Sequence, residues 1–131
     1  MDLELTSGAQ ATLVEEAAAA HPRECCGLLL GQGARVREIR PAANLHAQPE
    51  RHFEIDPARL IQAHREARSG GLQVLGYYHS HPNGRAQPSA TDRACASGDG
   101  RIWAIVAGDA VTWWRDLPGG FEPLSTRSVA G

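Results

Sequence analysis

Gly76-Tyr77-Tyr78-His79-Ser80-His81-Pro82-Asn83-Gly84-Arg85-Ala86-Gln87-Pro88-Ser89-Ala90-Thr91-Asp92 is the stretch on which the fold and chemistry of this chain turn. Leu72–His81 reads as a central strand, and Pro82–Pro88 cannot continue it. Side chains two apart on a strand share a face, so His79 and His81 present two imidazoles side by side. Because Pro82 follows at once, the pair lies at the rim of a sheet rather than within it. Ser89 then opens a short helix that stops near Gly98 and carries Asp92 in its first turn. Two imidazoles and one carboxylate suit a tetrahedral zinc that keeps a fourth position for water. Taken piece by piece, other readings stand beside this one. A His-x-His on a strand also serves as a structural pair, and Ser89-x-x-Asp92 is also a capping box.

Working outward, Leu3–Leu5 reads as a short strand, and Ser7 is placed to cap a helix running to about Ala20, closed by Pro22. Cys26–Gly31, an apolar run ending in Gly, fits a buried strand. Gly33 turns the chain into a return strand at Val36–Arg40. Pro41–Arg51 is polar and reads as an exposed loop, followed by a brief strand at Phe53–Ile55. Asp56-Pro57 starts a second helix, with Leu60, Ile61 and His64 on one face and Gly70-Gly71 at its end. Ile102–Ala107 and Ala110–Arg115 form strands joined at Gly108-Asp109, and a last short strand is expected around Phe121–Leu124. Strands and helices mix without regular alternation, so the class is α+β or mixed α/β.

The chain has 131 residues, of which 42% are hydrophobic and 21% charged, which describes one ordinary globular domain and not a disordered or fibrous chain. Thirteen basic residues, all Arg, against fifteen acidic ones give a net charge of -2, which disfavours a general nucleic-acid binder. Arg35, Arg37 and Arg40 read as a solvated strand face, and Trp103, Trp113 and Trp114 as packing. No apolar run approaches the ~20 residues of a membrane span, and Met1-Asp2-Leu3-Glu4 lacks the features of a signal peptide. A cytoplasmic location is expected. Cys25, Cys26 and Cys95 cannot form a complete disulfide framework and are expected as small, buried, reduced side chains.

His79-x-His81-Pro82, followed by Ser89-x-x-Asp92, resembles the signature of the JAMM (MPN-plus) zinc metallopeptidases. Glu24-Cys25-Cys26-Gly27-Leu28-Leu29-Leu30-Gly31 is similar to that family's Glu-x-x-Gly-Leu-Leu-x-Gly segment. The resemblance runs from about Leu3 to Phe121. It implies a single MPN/JAB-like domain over residues 1–131, with its core at about 3–124: a central mixed β-sheet flanked by helices, cytidine-deaminase-like. It implies further that His79, His81 and Asp92 hold one Zn2+ and that Glu24 is the general base. Ser89 would hydrogen-bond the oxyanion of the tetrahedral intermediate. His21, His46, His52 and His64 match no family ligand, although His52 and Phe53 are placed to border a substrate groove.

Family members that cut ubiquitin chains are larger. Small prokaryotic relatives act on ubiquitin-like sulfur-carrier proteins, so the resemblance implies hydrolysis of a peptide or isopeptide bond after a carrier's C-terminal Gly-Gly. Cysteine, thiamin or siderophore biosynthesis would be the setting. Two other readings compete. A metal-free MPN-type scaffold that binds partners is disfavoured because all five site residues are present, and a DNA-repair-associated JAB-domain relative is disfavoured by the acidic charge.

Overall fold

Cys26–Gln32 is buried at every residue but the last, so this strand must be covered on both faces. The covering is built by a computed structural model that describes residues 2–130. In chain order its elements are β1 (Leu3–Thr6), α1 (Ala9–Ala20), β2 (Cys26–Gln32), β3 (Arg35–Ala42), α2 (Pro57–Arg68), β4 (Gln73–Ser80), α3 (Ala90–Cys95), β5 (Ile102–Ala107), β6 (Ala110–Leu117), β7 (Gly120–Pro123) and β8 (Thr126–Val129). The strands form one sheet in the order β7-β6-β5-β4-β2-β3-β1-β8. β4 runs antiparallel to β2 and parallel to β5, and β1 runs parallel to β3 and β8. The sheet is therefore mixed, as expected for the class.

Alternation along the central strands divides the core in two. On one face Leu29, Tyr78, Ala104 and Val106 pack with Leu13 of α1. On the other, Leu28, Leu30 and Val74 pack with Ala63 of α2, and Leu60 and Tyr77 lie against them. Each fully buried aliphatic side chain contributes about 1.5–3 kcal/mol, so this two-faced cover is what holds β4 at the centre. Close approach of β5 demands Gly76: a Cβ there would lie 1.7 Å from Ile102 O. Gly27 is demanded likewise, since its Cβ would meet the Tyr78 ring at 2.5 Å.

Several expectations are corrected. The N-cap of α1 is Gly8, at φ 88, not Ser7, because the chain leaves β1 through a left-handed turn that glycine adopts without strain. Pro41 and Ala42 belong to β3, while Phe53–Ile55 forms no strand beyond one bridge between Asn44 and Ile55. Ile61 is 54% exposed; α2 turns Leu60 and Ala63 inward instead. β8 was not expected, since Thr126-Arg127-Ser128-Val129 is mostly polar and finds its partner β1 more than a hundred residues away. α3 ends at Cys95, and Cys95 is exposed, unlike Cys25 and Cys26.

Candidate metal centre

His79 is the penultimate residue of β4, paired with Cys26 of β2 on one side and Ile105 of β5 on the other. His81 lies just past the end of the strand, yet its backbone N–H still donates to Val106 O at 2.8 Å, which preserves the alternation. The loop then turns back tightly. Gly84 N donates to His81 O at 3.0 Å, and Arg85 N donates to Asn83 Oδ1 at 2.9 Å. Ser89 closes the loop as the N-cap of α3: its Oγ accepts from Asp92 N at 3.0 Å, and its N–H donates to Asp92 Oδ2 at 2.9 Å. This reciprocal capping box aims the Asp92 carboxylate back toward the sheet.

The result is a compact donor set. His79 Nε2 and His81 Nε2 are 3.0 Å apart, His79 Nε2 is 3.0 Å from Asp92 Oδ1, and His81 Nε2 is 3.0 Å from Asp92 Oδ2. All three residues are buried, and one ligand atom from each lies within 4.8 Å of the others. His81 Nδ1 is 2.7 Å from Arg85 O. A carbonyl only accepts, so Nδ1 carries the proton and Nε2 keeps a lone pair. That lone pair faces a carboxylate oxygen and a second imidazole nitrogen. Acceptors this close require a proton or a cation between them, and the backbone bond to Nδ1 is the device by which proteins fix a ligating tautomer.

Burial pushes His79 down from its ordinary value, toward the neutral form that a metal needs. Burial also acts to lower His81, but its hydrogen bonds with Asp92 and the Arg85 carbonyl carry it upward. Burial would raise Asp92; its close pairing with the His79 and His81 rings outweighs that and holds its carboxyl well below the usual range. Glu24 lies in the segment just before β2. It is only 7% exposed, and it lines a cleft of about 340 Å3 together with Asp92 and Ser89. Its burial pushes the carboxyl up to about 7. The fold thus brings Glu24, His79, His81, Ser89 and Asp92 to one place.

An aromatic wall borders this cleft. Phe53 stacks on His79 with centroids 4.3 Å apart, and Trp103 meets the same ring edge-on at 5.8 Å. His52 lines the cleft beside Phe53. Trp103 was expected only as packing; its register opposite Tyr77 on β5 is what points it at the site, and nothing local in the sequence signals that. His21 caps the C-terminus of α1 and His64 lies on α2, and neither joins the ligand set of His79, His81 and Asp92. The Arg35 and Arg40 side chains form ion pairs with Glu4, Glu38 and Glu66. Among the described residues, no helix is long and apolar enough to cross a membrane.

Residues 6–116 match the family of prokaryotic homologs of the JAB domain. The chain belongs to that family. A desampylase of Haloferax volcanii is 39% identical to this JAB protein over 72% of this chain and 70% of its own length. A probable TtuB-protein conjugate cleaving protease of Thermus thermophilus is 38% identical over 54% of this chain and 47% of its own. A protein of Desulfitobacterium hafniense, solved in solution, superimposes with a TM-score of 0.84 over 98% of this chain and 93% of its own, at 28% identity. The JAB protein described here is a JAMM-type hydrolase.

Proposed function

We propose that this protein is a zinc-dependent isopeptidase that hydrolyses the bond after the C-terminal Gly-Gly of a ubiquitin-like, sulfur-carrier-type protein. The observation that carries the reading is the convergence of His79 Nε2, His81 Nε2 and the Asp92 carboxylate on one point, with the His81 tautomer set by Arg85 O. Support for the substrate class comes from the relatives, whose names speak of removing such small protein modifiers. A Gly-Gly tail is slim and extended, and suits a recessed site of this kind.

His79, His81 and Asp92 would hold the zinc. Once bound, zinc polarises the scissile carbonyl and makes water a nucleophile near neutral pH. Glu24, with its carboxyl raised to about 7, accepts the proton from the attacking water and delivers it to the leaving amine. An ordinary glutamate would be a weaker base, less able to take that proton from the water. Ser89 Oγ already accepts from Asp92 N and still has its own O–H to donate, so it stabilises the charge that develops on the carbonyl oxygen. Phe53 and Trp103 exclude water from the inner side of His79.

The test is direct. A carrier protein joined through its Gly-Gly to a lysine side chain is incubated with the purified chain, and products are followed by mass. Cleavage after Gly-Gly is expected with zinc and is lost on chelation. Absence of bound metal in the wild type, even after zinc is supplied, contradicts the reading.

A further inference from the structure

We propose that Asn44 is a positioning residue for the reaction: one side chain that locks Glu24 and Phe53 into register with the metal-ligand set. Neither residue is held by regular structure. Glu24 precedes β2, and Phe53 lies in the segment between β3 and α2. What joins them is the Asn44 carboxamide. Its Nδ2 donates to Glu24 O at 3.0 Å and to His52 O at 2.9 Å. Its Oδ1 accepts from His46 N at 3.1 Å and from Glu54 N at 3.0 Å. A side-chain amide has two N–H donors and two acceptor lone pairs, and here all four are used.

The identity of each partner fixes the amide's orientation. All three Nδ2 partners are carbonyls, a longer contact to Pro49 O at 3.5 Å included, and both Oδ1 partners are N–H groups, so no flipped amide and no carboxylate satisfies the set. The partners are also placed where positioning matters. Residues 52 and 54 flank Phe53, whose ring stacks on His79. Glu24 is gripped at both of its peptide groups, since its N–H donates to Pro49 O of the same loop at 2.7 Å. Displacing the loop would therefore move the carboxylate and the aromatic wall together, while leaving the ligands on β4 and α3 in place. A shift of about 1 Å in a reacting group costs on the order of 10²-fold in rate.

This inference rests on the reading of Glu24 as the general base, and the experiment separates the two. Asn44→Asp, which keeps the shape and both acceptor bonds but loses both donor bonds, is compared with Asn44→Ala, Glu24→Gln and the Asn44→Asp/Glu24→Gln pair. The zinc-loaded chain is assayed well below each variant's Tm on the Gly-Gly conjugate. Asn44→Asp is expected to keep zinc, to lose roughly 10–100-fold in kcat with KM within a few-fold, and to add nothing to the loss from Glu24→Gln. In the metal-free chain, Asn44→Ala, which also removes the acceptor, should quicken amide exchange at Glu24, His46 and Glu54 but not along β4, while Asn44→Asp should leave His46 and Glu54 protected. If Glu24→Gln is inactive while Asn44→Asp keeps wild-type kcat, or if the losses in the pair multiply, the positioning role is overturned. If Glu24→Gln stays active, the reading of the base itself fails.

Discussion

The two halves of the candidate centre are built in opposite ways. The ligand half uses regular elements: a strand end carrying His79 and His81, and a capped helix carrying Asp92, each held by backbone pairing or a capping box. The other half, Glu24 with Phe53, is loop, held through Asn44 and one backbone bond to Pro49. On the proposed roles, metal affinity and turnover should be separable. Damage to the first half should remove the metal, while damage to the second should leave the metal and slow the chemistry.

The largest break is expected from Asp92→Ala. It removes a proposed ligand, the close partner of both histidines and half of the capping box, so zinc and hydrolysis should both disappear, and elemental analysis with an activity assay checks both. His79→Ala should behave alike, although it leaves the cap intact. Next comes Ser89→Ala, on the border between the halves. Loss of its Oγ should cost ~1 kcal/mol as a helix cap and ~10²-fold in kcat as an oxyanion donor, with zinc content near normal. Turnover within a few-fold of wild type would reduce Ser89 to a cap.

Such predictions rest on the part of the molecule that was legible in its sequence. The placement of His79, His81, Ser89 and Asp92 was legible because strand alternation and a capping box are local rules, while their roles came from the family resemblance. That of Glu24 was not: nothing in Pro22-Arg23-Glu24 marks a buried carboxyl, and only the family resemblance singled it out. Asn44 and Trp103 were missed for the same reason, since their roles depend on partners brought from other segments. The strand expected at Phe53–Ile55 failed because its alternation serves the cleft and not a sheet. β8 went unseen because an edge strand can be polar on most of its residues when one neighbour supplies its bonds.

The halves should also differ in their response to pH. In the ligand half the imidazoles must be neutral to hold a metal, so zinc occupancy should fall as pH drops, with His81, whose proton is held more tightly than usual, the first to compete. In the loop half the sign follows from Glu24, whose folded carboxyl is raised from 4.5 to about 7. The folded state then binds its proton more tightly than the unfolded state does, so burial of Glu24 costs nothing below about pH 4.5. The cost grows through the window up to about 7 and is complete above it. Metal-free Glu24→Gln should therefore gain stability over wild type as pH rises across that window, with the difference vanishing in acid. Denaturant melts at pH 4 and pH 8 measure this. The smallest effect is expected from Arg40→Ala, which removes exposed ion pairs with Glu38 and Glu66; it should cost less than ~1 kcal/mol and leave zinc and turnover unchanged.

The separation of binding from chemistry is tested most directly by zinc stoichiometry and single-turnover hydrolysis measured on the same sample of Glu24→Gln. The expected result is one zinc per chain, as in wild type, with hydrolysis of the Gly-Gly conjugate slowed by on the order of 10²–10⁴-fold, because the attacking water has lost its proton acceptor. A variant that loses its zinc, or one that keeps zinc and cleaves at the wild-type rate, would contradict the account.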